Sequence, residues 1–298
     1  MRIVTLLPSA TDWIFALGLE KYLVGVSHSC PVPRPDIPRV TSTRVPISVG
    51  SAEIDAFVRE HLVENEALYD LDMDALARLK PDVIVSQALC DVCAVATGDV
   101  ESAVCGLDSR PVLVDLNPNT LVDVLDDLLR VGAACNATAP ATRLRAGYEA
   151  RLERVREAVA GRDRPTVAFL EWLDPPFNGG HWNPEIIEIG GGRELLGDPG
   201  RPSSTISWDA VVEAKPDVLL VACCGLGVQR TRDDVNLMKQ WIVRLSAWEA
   251  GRTFVADGDR YFARPGPDLV TAAERVAKTL HPDVNLGSEL EIRPFERA

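Results

Sequence analysis

The segment Lys80-Pro81-Asp82-Val83 decides the fold, because the same four residue types recur as Lys215-Pro216-Asp217-Val218. In both places a helical pattern ends at the lysine, and a short apolar run begins at the aspartate or just after it. A helix that leads directly into a buried strand is the repeating unit of α/β proteins with parallel sheets. The recurrence therefore predicts two similar α/β lobes.

The beginnings of the two lobes also correspond. Residues 3–7 form an apolar strand pattern that is followed by a helix, for which Ser9 is the predicted N-cap. Residues 166–170 form a similar strand, which leads through a proline-rich loop into a helix at 184–189. We therefore place the N-terminal lobe at residues 1–118 and the C-terminal lobe at 164–298.

The segment between the lobes, residues 119–163, has a helical pattern with a break near 135–140. A helical connector is stiffer than a Gly/Ser linker, so it permits only small hinge motions about a cleft between the lobes. The predicted fold class is thus α/β, with two lobes of mostly parallel sheet and flanking helices. We expect a long helix to join the lobes and a ligand cleft to lie between them.

The bulk composition excludes several classes of partner. The 298 residues are 46% apolar and 25% charged, which is typical of a soluble globular protein. A formal net charge of −13 disfavours nucleic acid and anionic membranes, because phosphate contacts need lysine and arginine. We expect no membrane span and no signal peptide, since Pro8 interrupts the first apolar run. The expected location is cytoplasmic, or extracytoplasmic if the sequence is a trimmed mature form.

Cysteines follow the predicted strands unusually often. Five of the seven come shortly after apolar runs, namely Cys30, Cys90, Cys93, Cys223 and Cys224. Residues at the carboxyl ends of parallel strands face the ligand crevice of an α/β protein. Only one of two adjacent residues can face a given side, and we favour Cys224 because it lies beyond the strand end.

The four cysteines Cys30, Cys90, Cys93 and Cys224 are the predicted metal ligands. Four thiolates suit a tetrahedral zinc ion or a [4Fe–4S] cluster, and a Cys-x-x-Cys pair can hold one cation. The pair could also be a redox site, although a helix start directly after its first cysteine is not obvious. Thiols that are simply buried in the fold remain an open alternative.

Aromatic side chains are concentrated in a loop of the second lobe, after its first strand. Trp172, Phe177 and Trp182 suit a pocket with flat surfaces, and the alternative is a surface loop folded over its own rings. His181 is a candidate axial metal ligand or hydrogen-bond donor, and His28 is a second histidine at a predicted cleft position. Neither a Ser-His-Asp nucleophile arrangement nor a phosphate-binding glycine loop is evident.

Three motifs together resemble a known family: Leu6-Leu7-Pro8-Ser9-Ala10-Thr11, the two Lys-Pro-Asp-Val segments, and Arg264-Pro265-Gly266-Pro267. They resemble the periplasmic-binding fold of ABC importers for iron chelates and cobalamin, over nearly the whole chain. The branch of cobalamin-binding proteins looks closest. The resemblance implies a non-catalytic protein that holds a corrinoid or metal chelate between its lobes, with an ABC-type importer as a partner.

The resemblance also implies which residues line the ligand cleft. Carried over to matching positions, they are Pro8, Ser9, Trp172, Phe177, Trp182 and Arg264. From the residues alone, Arg264 either meets an anionic group of the ligand or pairs with a surface carboxylate.

Three functions remain open on the sequence. The first is a non-catalytic binding protein for a cobalamin-like corrinoid or another metal chelate. The second is a cytosolic metalloprotein on the same fold, with a cysteine-ligated [4Fe–4S] cluster or zinc in the cleft. The third is an enzyme that acts on a corrinoid at such a centre, which no residue pattern supports independently. We rank the first highest because the resemblance covers the whole fold.

Overall fold

The computed structural model describes residues 1–32, 34–46, 48–64, 67–87, 100, 104, 106–286 and 292–295. The chain divides into two compact units. Residues 1–118 and 122–146 form the first, and residues 119–121 and 147–298 form the second.

The first unit contains a parallel sheet and a small antiparallel ribbon. Its described strands are β1 (Ile3–Thr5), β2 (Leu23–Val26), β3 (Thr41–Thr43), β4 (Tyr69–Leu71), β5 (Val83–Gln87) and β6 (Val112–Leu116). The order in the main sheet is β2-β1-β5-β6, with all neighbours parallel, while β3 and β4 pair antiparallel. Its described helices include α1 (Pro8–Ala16), α2 (Ser51–Val63) and α3 (Met73–Leu79).

Two helices follow the first sheet and correspond to the predicted connector. They are α4 (Leu121–Ala134) and α5 (Thr138–Val159), and the break between them lies where the sequence predicts it. Asn136 adopts a left-handed φ of 55° in this break. A Cβ on Gly132 would lie 2.4 Å from the Cβ of Ala141, so only glycine permits the close approach of the two helices.

The second unit contains a larger mixed sheet. Its described strands are β7 (Thr166–Leu173), β8 (Pro176–Asn178), β9 (Arg193–Glu194), β10 (Val218–Val221), β11 (Thr253–Val255) and β12 (Arg293–Pro294). The order is β12-β11-β10-β7-β8, and β9 also pairs with β7. The pairs among β7, β9, β10 and β11 are parallel, whereas β8 and β12 pair antiparallel.

The helices of the second unit pack on this sheet. They are α6 (Asn183–Ile189), α7 (Trp208–Glu213), α8 (Val228–Leu237), α9 (Lys239–Ile242), α10 (Ser246–Glu249), α11 (Gly258–Tyr261) and α12 (Asp268–Leu280). In the described part of the chain, no helix combines the length and the apolar character needed to cross a bilayer.

The two Lys-Pro-Asp-Val segments behave as the sequence predicts. Lys80 is the first residue after α3, and Lys215 is the second residue after α7. Both adopt left-handed φ values, of 45° and 48°. A left-handed residue ends a helix, and the proline after it cannot continue one. The chain then enters β5 and β10, of which every residue is buried. The prediction of two α/β units with mostly parallel sheets is confirmed.

Each unit has its own hydrophobic core. In the first unit, Val4, Leu6, Ile84 and Leu76 belong to one buried cluster. In the second, a larger cluster includes Leu170, Leu219 and Val255 from the three central strands. Burying one such aliphatic side chain contributes about 1.5–3 kcal/mol to stability. The strands are thus fixed by burial on both faces, which leaves their carboxyl ends free to carry polar groups.

Candidate ligand-binding site

Pro8 and Ser9 lie at the carboxyl end of β1, where α1 begins. The N-cap of α1 is Leu7, so the prediction of Ser9 as the N-cap is wrong. Proline occupies the first helical position readily, because its φ is preset and it has no N–H to satisfy, and this moves the helix start forward. Ser9 is consequently inside the first turn and 1% exposed, and its hydroxyl has no hydrogen-bond partner in the described ranges.

Cys30 lies buried in a cluster of hydroxyl groups at the ends of β1 and β2. The Thr11 hydroxyl lies 3.0 Å from the Cys30 Sγ and 2.7 Å from the Thr5 Oγ1, and the Ser27 Oγ lies 3.2 Å from the same sulfur. Protein hydroxyls therefore satisfy the thiol in this conformation. This environment accounts for Cys30 without a metal ion.

His28 is half-buried next to this cluster. Its Nδ1 lies 2.9 Å from the Thr41 Oγ1, which also accepts the backbone N–H of His28 at 2.9 Å. The imidazole stacks on Tyr69 with ring centroids 5.5 Å apart. Burial, and then the charge of Arg39, lowers the pKa of His28 below its usual value, so the ring is neutral at pH 7.

In the second unit, an aromatic pair lies on the hairpin formed by β7 and β8. Trp172 pairs with Phe177 across this hairpin, and both side chains are partly exposed. Directly paired residues of antiparallel strands project from the same face. The Trp172 indole N–H donates to the Asp174 carbonyl at 3.2 Å, which orients the ring. The two predicted aromatic residues therefore form one surface at the carboxyl end of β7.

His181 lies in the loop between β8 and α6, with its backbone held on both sides. Its N–H donates to the Arg201 carbonyl at 2.6 Å, and its carbonyl accepts the Gly200 N–H at 2.9 Å. The φ of His181 is 54°, a left-handed value that costs a non-glycine residue about 1–2 kcal/mol. Burial lowers the pKa of His181, so the imidazole is neutral at pH 7.

Trp182 has a different environment from the other predicted aromatic residues. Its side chain is 3% exposed, and its indole N–H donates to the Phe262 carbonyl at 2.8 Å. The expected ligand-lining role requires accessible ring surface, and the structure instead packs this ring inside the unit. Trp182 therefore anchors the His181 loop to the segment that precedes α12.

Arg264 also has a protein partner. Its guanidinium forms two hydrogen bonds with the Asp259 carboxylate, from Nε to Oδ1 at 3.3 Å and from Nη2 to Oδ2. The side chain is 15% exposed. Of the two roles open on the sequence, pairing with a carboxylate is the one that the structure contains.

The adjacent cysteines at the end of β10 differ in exposure. Cys223 is fully buried, and burial raises the pKa of its thiol well above the usual value. Cys224 is partly exposed, and its N–H donates to the Glu171 carbonyl at 2.8 Å. Of this pair, Cys224 is thus the one with accessible surface, and its position facing a ligand cleft stays a prediction.

The structure describes two of the four predicted metal ligands, Cys30 and Cys224. Cys90 and Cys93 lie outside the described residues. Among the residues that are described, no group of three or more His, Cys, Asp or Glu side chains could hold a metal ion. The four-thiolate zinc or [4Fe–4S] site stays a prediction, without support from the geometry.

Glu171 is a residue of the candidate site that the sequence reasoning missed. Its carboxylate accepts hydrogen bonds from the Gly180 N–H and the Asn183 Nδ2, both at 3.1 Å, at the base of the His181 loop. A signal was present, since Glu171 is the one charged residue within the apolar strand Thr166–Leu173. Its partners could not be foreseen from local patterns.

Comparison with known proteins identifies the family. A family model described as periplasmic binding protein matches residues 3–263. The chain belongs to this family. A vitamin B12-binding protein of Vibrio cholerae serotype O1 is 21% identical over 283 residues, which cover 94% of this chain and 88% of that protein. The resemblance read from the sequence is therefore confirmed.

Solved structures of the same family share the fold. A periplasmic heme binding protein from Pseudomonas aeruginosa matches with a TM-score of 0.74 and 18% identity, covering 99% of this chain and 98% of that one. A periplasmic vitamin B12 binding protein of Vibrio cholerae matches with a TM-score of 0.68 and 19% identity, covering 94% and 96%. These structures share the fold of the chain, and the matching family model is described as periplasmic binding protein.

Proposed function

We propose that this protein binds a cobalamin-like corrinoid, or a related metal chelate, at the carboxyl ends of its parallel strands. The vitamin B12-binding relatives, which match across 94% of the chain, support this ligand class. The heme-binding structural relatives make an iron porphyrin the competing ligand. Both ligands are flat metal macrocycles, so the choice between them depends on what surrounds the ring.

The aromatic pair on the β7–β8 hairpin supports a flat ligand. Trp172 and Phe177 present partly exposed rings on one face, and His181 contributes a half-buried neutral imidazole in the next loop. Flat apolar surface with a few polar groups is what small-molecule sites offer. The imidazole can bind an axial position of the metal or donate a hydrogen bond to a side group of the ligand.

The charges in the strand-end loops of the second unit favour a corrinoid over heme, and this observation carries the choice. Heme has two carboxylates that call for arginine or lysine, whereas the corrin periphery carries neutral amides. Residues 171–182 contain two acidic residues and no lysine or arginine. In residues 256–267, Arg260 is paired with Asp268, and Arg264 is paired with Asp259.

A further segment of the second unit bears on this charge argument. Residues 195–206 contain one exposed cation, Arg201, for which no ion pair is found among the described residues. In these loops of the second unit, one unpaired arginine can meet only one carboxylate of a dicarboxylate ligand. In the first unit, Arg39 lies beside His28 and donates to the Ser27 and Cys30 carbonyls, with no ion pair among the described residues. The charge balance of the second unit therefore suits a ligand with a neutral periphery.

The proposed partner is an ABC-type importer, as in the family that the chain resembles. The structural relatives are described as periplasmic, which supports an extracytoplasmic location over the cytoplasmic one expected from the sequence. Fractionation of cells that express the full-length gene product tests the location. Recovery in the cytoplasmic fraction alone would contradict it.

The first experiment is a UV–visible spectrum with metal analysis of anaerobically purified protein, before and after addition of hydroxocobalamin. We expect a colourless protein without stoichiometric metal, and a shift of the cobalamin bands on binding. The variant Trp172→Ala should weaken the shift. The matched control Trp241→Ala removes a ring on α9, outside the strand-end loops, and should retain the shift. A brown or zinc-containing protein that is indifferent to cobalamin would support the cysteine-ligated metalloprotein instead.

A further inference from the structure

Glu171, on β7, accepts hydrogen bonds from two other segments of the second unit at one carboxylate. Its Oε2 accepts the backbone N–H of Gly180 and the side-chain Nδ2 of Asn183, each at 3.1 Å. The Ser203 side chain donates a further hydrogen bond, and burial raises the pKa of Glu171 above its usual value. Gly180 and Asn183 lie one residue before and two residues after His181. Two hydrogen-bond donors to the carboxylate thus lie on either side of His181 in the sequence.

The backbone around His181 is fixed from the other side as well. The Arg201 carbonyl and the Gly200 N–H hold the two backbone groups of His181. A Cβ on Gly180 would lie 2.2 Å from the Ser203 nitrogen, so the two loops approach as closely as a glycine allows. These contacts maintain the left-handed φ of His181, which an unsupported loop would lose.

The backbone of His181 is hydrogen-bonded to the neighbouring loop, whereas its imidazole has no hydrogen-bond partner among the described residues. Its ring packs near Trp182, with centroids 5.5 Å apart, and no hydrogen bond to a ring nitrogen is found within the described ranges. The ring nitrogens of His181 are not among the buried polar atoms that lack a partner in the described residues, so they are accessible to solvent and to a ligand. A strained backbone that presents an unpaired nitrogen is typical of a site prepared for a ligand.

We propose that Glu171 is a positioning residue, whose carboxylate holds the His181 loop in the geometry in which the imidazole contacts the ligand. This inference rests on the proposed function, because it needs a ligand at His181. Glu171 itself acts through Gly180 and Asn183. Its loss lowers the population of the binding-competent loop, which reduces the apparent affinity by the same factor.

A second buried carboxylate provides a matched control. Glu194 accepts the backbone N–H groups of Leu196 and Gly197, at 3.0 and 3.3 Å, and so holds a neighbouring stretch without bracketing His181. The variants Glu171→Gln and Glu194→Gln make the same chemical change in similar surroundings. A purely structural role would give both variants the same effect on binding.

The test compares hydrogen exchange of residues 179–183 in the ligand-free protein with titration by hydroxocobalamin. For Glu171→Gln we expect exchange at the Gly180 amide at least about 10-fold faster, an affinity about 10-fold weaker, and slower association. The spectrum of the saturated complex should match that of the wild type, because the final contact is unchanged. Glu194→Gln should match the wild type in all three measurements.

Several outcomes would overturn the inference. An affinity of Glu171→Gln equal to that of Glu194→Gln, or unchanged exchange at Gly180, shows that Glu171 does not position the loop. If Glu171→Gln does not fold, Asn183→Ser removes one of the three donors and should show the same changes at smaller size. Wild-type protein that binds neither hydroxocobalamin nor hemin contradicts the proposed function and this inference together, and it is recognised before any variant is compared.

Discussion

Asp82 and Asp217 accept equivalent main-chain hydrogen bonds in the two units. The Asp82 Oδ2 accepts the Arg2 N–H at 2.7 Å, directly before β1, and the Asp217 Oδ2 accepts the Thr166 N–H at 2.8 Å, at the start of β7. The strands that follow are paired in the same register, Ile3 with Val83 and Val167 with Val218. The aspartate of each repeated segment thus fixes how its strand aligns with the neighbouring strand.

The first prediction concerns Asp217→Ala. Because the variant removes the acceptor for the Thr166 N–H and hydroxyl, we expect a loss of about 1–2 kcal/mol in unfolding free energy at pH 7. The hydrogen bonds from Thr166 lower the pKa of Asp217 below 3.8, so its contribution is complete above that pH and is lost as the pH falls through the lowered value. Urea denaturation at pH 7 and pH 3 measures both effects.

The control for this variant is Asp209→Ala. Asp209 forms an exposed pair with Arg244 at 3.3 Å, which contributes at most a few tenths of a kcal/mol. A loss from Asp217→Ala that is as large at pH 3 as at pH 7 would contradict the account.

The second prediction concerns the pH dependence that Glu194 imposes. Burial raises the pKa of Glu194 from 4.5 to about 8, so between these values the folded protein keeps a proton that the unfolded chain releases. The stability should therefore fall as the pH rises from 4.5 to 8, by up to about 1.4 kcal/mol per pH unit from this group. Glu194→Gln should flatten that slope in urea titrations at pH 5, 7 and 8.5. A variant less stable than the wild type at pH 8.5 would be inconsistent with this explanation.

The third prediction separates two tryptophans. Trp182→Phe leaves the buried Phe262 carbonyl without its donor, so we expect a loss of about 1–3 kcal/mol in stability. Trp172→Phe removes a longer, exposed hydrogen bond and should cost less than about 1 kcal/mol. Thermal unfolding checks both values. Equal losses would show that the buried hydrogen bond of Trp182 contributes no more to the unfolding free energy than the exposed one of Trp172.

The fourth prediction concerns His181→Gly. Glycine adopts the left-handed φ of 54° without strain, but it also gains entropy in the unfolded chain, so stability should change by less than about 1 kcal/mol. Affinity for hydroxocobalamin should fall about 10-fold, since the imidazole contact is lost. Calorimetric unfolding measures the change in stability, and ligand titration of the same preparations measures the change in affinity. A large loss of stability with unchanged affinity would assign His181 to the fold instead of the ligand.

The repeated unit was predictable from the sequence because its determinants are local. A lysine that ends a helix, a proline that cannot continue it, and an apolar run that forms a strand lie within a few residues of one another. The break between α4 and α5 was predictable for the same reason. Ser9 was assigned wrongly as an N-cap, because the preference of Pro8 for the first helical position outweighs the capping preference of serine.

The site was less predictable because its partners are distant in sequence. Trp182 was expected to line the cleft. In the structure its indole N–H donates a hydrogen bond to the carbonyl of Phe262, which is 80 residues away in the sequence. Glu171 escaped notice because its donors come from separate loops that only the folded sheet brings together. Aromatic residues at strand ends thus mark a candidate site, while tertiary packing decides which rings keep accessible surface.

The most direct test of the central claim is a side-by-side titration of the purified wild-type protein with hydroxocobalamin and hemin, followed by absorbance and calorimetry at the same pH and salt concentration. The account predicts one saturable site that binds hydroxocobalamin at least about 10-fold more tightly than hemin, a difference of about 1.4 kcal/mol. Tighter binding of hemin would contradict the charge argument, and failure to bind either ligand would contradict the proposed function itself.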